Sequence, residues 1–144
     1  MRLSQNLMLL PVLAQVLLTF AILIVLATRR RHSMKVQGRQ PEDMKHAQDH
    51  DWERPAELAS RSFKNQFELP VLFFAVCAFA VVTRSADVTL FALAWVFVLA
   101  RGIQSVAHLA DMTVVIRASA YLLGAAVLAL MWVVLTLNVF RYGV

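Results

Sequence analysis

The chain has 144 residues, 60% of them hydrophobic and only 16% charged, with a mean hydropathy of +0.65. That composition excludes a disordered chain and is too apolar for an ordinary soluble domain. The net charge of +5 and pI near 10.1 do not mark a nucleic-acid binder, because nine of the fourteen Lys and Arg residues lie between Arg29 and Lys64, beside the first apolar stretches rather than on a soluble face.

Four stretches with little or no charge, Leu7–Thr28, Phe63–Val82, Val88–Leu109 and Ala118–Phe140, each approach the roughly 20 residues needed to cross a bilayer. They predict an all-α integral membrane bundle of four transmembrane helices, one domain over 1–144, with helices at about 7–28, 55–82, 87–109 and 115–140 and a loop at 29–54. Leu7–Thr28 is longer than the apolar core of a secretory signal, and a triple arginine follows it instead of a small-residue cleavage site, so it reads as a retained span. The positive-inside rule places the 29–62 segment in the cytoplasm and both termini on the opposite side. The short, Ala/Val/Leu-rich chain points to a bacterial inner membrane, with anionic lipid near the loop.

The first helix carries Pro11 near its start, where a missing N–H costs little, and ends at Arg29-Arg30-Arg31-His32, cations that suit a helix C-terminus at the headgroups. The loop after it mixes charges. His46 and His50 stand at i, i+4 beside Asp49 and Asp51, but without a third clear ligand they read as a solvated loop and no metal is expected. Trp52 suits an interfacial anchor, and Arg54-Pro55 reads as the start of the second helix.

The segment Arg61-Ser-Phe-Lys-Asn65-Gln-Phe-Glu68-Leu-Pro70 is where the charged loop gives way to lipid. Arg61, Asn65 and Glu68 fall on one helical face, and polar groups so placed are expected to face a pocket or a partner helix. Pro70 should bend the helix, freeing the carbonyl of Gln66. Cys77, the single cysteine, reads as a small buried residue and permits no intrachain disulfide.

Ser85 or Asp87 is a candidate N-cap for the third helix. That helix turns polar at Arg101, Gln104, His108 and Asp111, again one face, and an Arg101–Glu68 ion pair between helices would reconcile two charges within the membrane. The fourth helix opens with Arg117, Ser119 and Tyr121. Its pairs Ala120/Gly124 and Ala125/Ala129 suit close helix packing within or between chains.

The membrane-embedded polar residues therefore gather in the cytoplasmic third. Several cations with one carboxylate describe a receptor for a small anion that also bears an amine, and an arginine beside a thiol would stabilise the thiolate. No Ser-His-Asp order, phosphate loop or Cys/His metal cluster competes.

The pattern Arg61-x3-Asn65-x2-Glu68-x-Pro70, then Arg101 and a polar third helix, then Arg117-x3-Tyr121, resembles the MAPEG family, the membrane-associated proteins of eicosanoid and glutathione metabolism. The resemblance spans the four-helix chain and is specific from about Arg61 to Tyr121. It implies a homotrimer with glutathione as cosubstrate between neighbouring subunits, and an apolar electrophile or lipid hydroperoxide entering from the bilayer. It further implies Arg117 as the catalytic, thiolate-stabilising residue and Arg61, Asn65, Glu68, Arg101 and Tyr121 as glutathione contacts, with His108 and Gln104 at neighbouring binding positions. The chain departs from the family in four places. His108 replaces the tyrosine of the synthase branches, and Gln104 and Thr113 replace a histidine and an arginine of the prostaglandin branch. Leu69 replaces the tyrosine that follows the glutamate in the leukotriene branch. The reading is a glutathione-dependent membrane transferase or peroxidase. Its alternative is a non-catalytic membrane protein that keeps the fold as a lipid-binding or structural module.

Overall fold

The computed structural model describes residues 5–40, 42 and 51–142. A 3₁₀ turn, Gln5–Met8, leads into α1 (Leu9–Gln37). Next come α2 (Arg54–Lys64), a second 3₁₀ turn (Asn65–Phe67), α3 (Leu69–Val82), α4 (Val88–Leu109) and α5 (Val114–Tyr142). No strand occurs among the described residues. Four spans, Asn6–Gln37, Arg54–Val82, Val88–Leu109 and Val114–Arg141, are long and apolar enough to cross a membrane. Leu13, Leu17, Phe20, Val82, Leu99 and Phe140 stand exposed along them, as lipid-facing side chains do in an all-α integral membrane protein. His46 and His50 lie outside the described residues.

α1 runs well past Thr28, because nothing in Arg29–Gln37 breaks a helix and the first residue that does is Gly38. Gly38 adopts φ 63°, and the N–H of Arg39 reaches back to the Met34 carbonyl at 3.1 Å, a Schellman ending. The same closure ends α3, where Ser85 N–H meets the Ala80 carbonyl at 2.9 Å, and α4, where Met112 N–H meets the Ala107 carbonyl at 3.0 Å. In those two turns the left-handed position is taken by Arg84 (φ 54°) and Asp111 (φ 51°), at a cost of about 1 kcal/mol each relative to glycine.

The second span is not the single bent helix that Pro70 suggests. It breaks completely one turn earlier: α2 stops at Lys64, and Glu68 sits at φ −96°, ψ −100°, outside the helical region. Pro70 lies in the first turn of α3, where its missing N–H costs nothing. The break, not a kink, aims α2 independently of α3.

Asp87 caps α4, its carboxylate accepting from the Leu90 N–H at 2.8 Å. Ser85, the other candidate, is buried and offers its carbonyl to Asn138 Nδ2 at 3.1 Å, tying α5 to the α3–α4 turn. Between these helices lies the apolar core, built from Phe73, Val76, Ala80, Leu90, Phe97 and Met131. Phe73 stacks on Phe97 with centroids 4.5 Å apart. Cys77 is buried in this core. Ala120 and Gly124 face α4; a Cβ on Gly124 would stand 3.8 Å from Arg101 Cδ. Ala129 points outward, so the second small pair does not join helices within this chain.

Candidate functional site

The end of the bundle where α1 finishes and α2 begins is joined by polar clasps. Arg29 donates from Nη1 to the Pro55 carbonyl and from Nη2 to the Leu109 carbonyl, both at 3.1 Å, so one guanidinium ties three helices. Arg30 donates to Ser60 Oγ at 3.3 Å and lies over the Trp52 ring, 4.8 Å from its centroid, a cation–π contact. Arg54 grips Asp111 with two bonds of 2.7 and 2.9 Å. That grip holds the Asp111 carboxyl below its ordinary value.

Beneath these clasps α2, α4 and α5 border an open cavity of about 510 Å³ lined by Arg61, Asn65, Gln104, His108, Arg117 and Tyr121, with Val114, Ala118 and Leu122 as an apolar rim. Spacing explains the convergence. Gln104 and His108 are one turn apart on α4, Arg117 and Tyr121 one turn apart on α5, and Arg61 and Asn65 one turn apart at the end of α2. The three pairs are turned toward one another by the break in the second span and the short α4–α5 connection.

Within the cavity the groups are unevenly committed. Arg61 is exposed and ion-paired to Glu57 on its own helix. Asn65 Nδ2 lies 3.4 Å from His108 Nε2, and the buried Nδ1 of His108 has no hydrogen-bond partner among the described residues. Among the described residues no hydrogen bond is made by the Arg117 guanidinium or the Tyr121 hydroxyl, although Arg117 is half-buried.

Two residues of the sequence pattern stand elsewhere. Glu68 is exposed at the break and does not line the cavity. Arg101 is 0% exposed, beneath the cavity. The expected Arg101–Glu68 ion pair is absent: Arg101 donates to Gln104 Oε1 and to the Asn65 carbonyl instead. The helical break supplies that carbonyl, which lies where α2 gives way to the 3₁₀ turn.

A buried amide network that the sequence reading missed supports this floor. Gln15 Nε2 donates to Gln66 Oε1 at 2.9 Å. Gln66 Nε2 donates to Ser105 Oγ at 3.2 Å and to the Ser62 carbonyl at 3.3 Å. Ser105 in turn donates to the Arg101 carbonyl at 2.8 Å. A lone glutamine in the middle of the first apolar stretch was the available signal, since an amide in a membrane helix needs a partner.

Set against known proteins, residues 8–137 match the model of the MAPEG family. No curated protein and no solved structure matches the chain.

Proposed function

We propose, from the premise that this chain belongs to the MAPEG family, that it is a glutathione-dependent membrane transferase or peroxidase for apolar electrophiles or lipid hydroperoxides. The observation that carries the reading is Arg117: a half-buried guanidinium with no hydrogen-bond partner among the described residues, lining a cavity with His108 and Tyr121. A cation kept unpaired in a partly desolvated site favours a bound anion, and a thiol placed against it is held as the nucleophilic thiolate.

Arg61 and Asn65 would hold the peptide's carboxylate and amide groups. Arg101 takes a supporting role, because it is sealed beneath the cavity and fixes Gln104 and the Asn65 carbonyl. The apolar rim of Val114, Ala118 and Leu122 suits a reactant arriving from lipid. With an electrophile, the thiolate sulfur forms a bond to carbon and the leaving group departs with the electron pair. With a hydroperoxide, sulfur attacks the terminal oxygen and the O–O bond breaks, giving glutathione sulfenic acid and an alkoxide that takes a proton; a second glutathione then reduces the sulfenic acid, leaving glutathione disulfide and water. Glu68, a carboxylate exposed at the break, suits a homotrimer in which it meets a neighbouring subunit and the peptide's ammonium. The basic end would face the cytoplasm of a bacterial inner membrane.

A second reading has its own observation. Arg101 is buried beneath the cavity with Nη1 and Nη2 bonded to Gln104 and the Asn65 carbonyl, so part of the polar cluster already has a structural use, as a non-catalytic lipid-binding or structural module would require.

Ultraviolet thiolate absorbance of the detergent-purified protein, titrated with glutathione, separates the two. A thiolate signal in the wild type that vanishes in Arg117→Ala, with the fold and assembly intact, supports the enzyme. No binding at millimolar glutathione overturns it, and collapse of the Arg117→Ala fold favours the structural reading.

A further inference from the structure

The side chain of Gln66 is the meeting point of three spans. Its amide accepts from Gln15 on α1, donates to Ser105 on α4, and donates to the Ser62 carbonyl at the end of α2. All four side chains are buried: Gln15 at 0%, Ser62 at 1%, Gln66 at 2% and Ser105 at 3% exposure. Gln66 also belongs to the 3₁₀ turn that interrupts the second span. The residue before it, Asn65, points its side chain at His108 and its carbonyl at Arg101.

This placement has a physical logic. A broken helix inside a bundle leaves carbonyls without their i+4 partner, and buried side chains must meet them. Gln66 takes the Ser62 carbonyl and Arg101 takes that of Asn65. The turn is thus pinned from both sides, by an amide whose other end is anchored on α1 and by a guanidinium whose own backbone is tied to Ser105. If the Gln66 amide lets go, the turn carrying Asn65 keeps only its Arg101 pin, and the Asn65–His108 contact at the cavity wall is held less firmly. Gln15 does not line the cavity, and its side chain reaches toward it by the bond to Gln66.

We propose that Gln66, oriented by Gln15, is a positioning residue for the thiol-binding cavity, setting the direction of Asn65. The proposal rests on the glutathione reading above for its functional consequence. The test uses full-length protein with Gln15→Met, Gln66→Met and the double variant, since methionine keeps the volume and flexibility of glutamine while removing its amide.

The expected result is a rise in the glutathione concentration for half-saturation on the order of tenfold in Gln66→Met, with a shifted pH midpoint for the thiolate. Gln15→Met should show the same direction at smaller size, and the double variant no more than Gln66→Met alone, because Gln15 acts through Gln66. A lowered melting temperature with unchanged glutathione saturation and unchanged thiolate midpoint overturns the proposal, as does strict additivity of the two substitutions. If wild-type protein binds no glutathione, the functional reading fails on its own. The positioning is then read from amide hydrogen exchange over residues 61–68. Faster exchange there in Gln15→Met, a residue on a different span, sustains it, and unchanged exchange overturns it.

Discussion

The two halves of the bundle are built from the same helices by opposite means. In the half containing the α3–α4 turn, Phe73, Phe97, Leu90 and Met131 are 0% exposed and held by contact alone, with Asn138 to Ser85 as a buried polar tie. In the other half the ties are directional: Arg29 to two carbonyls, Arg54 to Asp111, Gln15 to Gln66, Arg101 to Gln104. Apolar packing leaves in the first half an opening of about 270 Å³ lined by Met8, Val12, Phe74, Cys77 and Val81, with no polar side chain to orient a ligand. Directional bonds can hold helices apart at fixed spacing, and the polar cavity lies in the half that uses them.

Substitutions can break this contrast, and the largest effect expected is on chemistry. Arg117→Ala should abolish the glutathione thiolate signal while leaving the melting temperature nearly unchanged, because the guanidinium makes no hydrogen bond among the described residues. The largest effect on stability belongs to the other half. Phe97→Ala removes the partner that Phe73 stacks upon and should cost about 3–5 kcal/mol in denaturant titration, with the thiolate spectrum of the surviving folded protein unaltered. If Phe97→Ala shifts that spectrum, the halves are not independent.

Arg101→Met falls between the two classes. It keeps an apolar stem against Gly124 but strands the Asn65 carbonyl and Gln104, each worth about 1–3 kcal/mol when left unsatisfied. Both stability and glutathione saturation should therefore suffer, unlike either variant above. The smallest effect is at the exposed Arg54–Asp111 pair. Because the Arg54 hydrogen bond lowers the Asp111 pKa, its contribution is complete above the ordinary carboxylate value of 3.8 and fades as pH falls through the lower folded value. Arg54→Ala should thus lower the melting temperature slightly at neutral pH and lose that difference in strong acid. An equal decrement at every pH would show that the pair acts by packing.

Hydropathy alone made the four spans legible, since lipid leaves a chain few other ways to satisfy its backbone. Helical spacing likewise grouped Gln104 with His108 and Arg117 with Tyr121. It failed at Arg101, because i, i+3 neighbours share a face only broadly: Arg101 turns under the cavity while His108 reaches its wall. It also failed at the second span, where Pro70 marked a disturbance without revealing that the helix would end at Lys64. Gln15 and Gln66 were the least legible. They are 51 residues apart, and one amide among leucines carries no sign of which partner it will meet.

The Arg29 clasp has a consequence for how the chain tolerates change. Its two acceptors, at positions 55 and 109, are backbone carbonyls, which every amino acid supplies. Side chains at those two sites can drift without dissolving the joint, so long as the main chain keeps its course. The side-chain requirement of this one clasp is concentrated at position 29, where lysine, with one nitrogen instead of a fork, would not substitute.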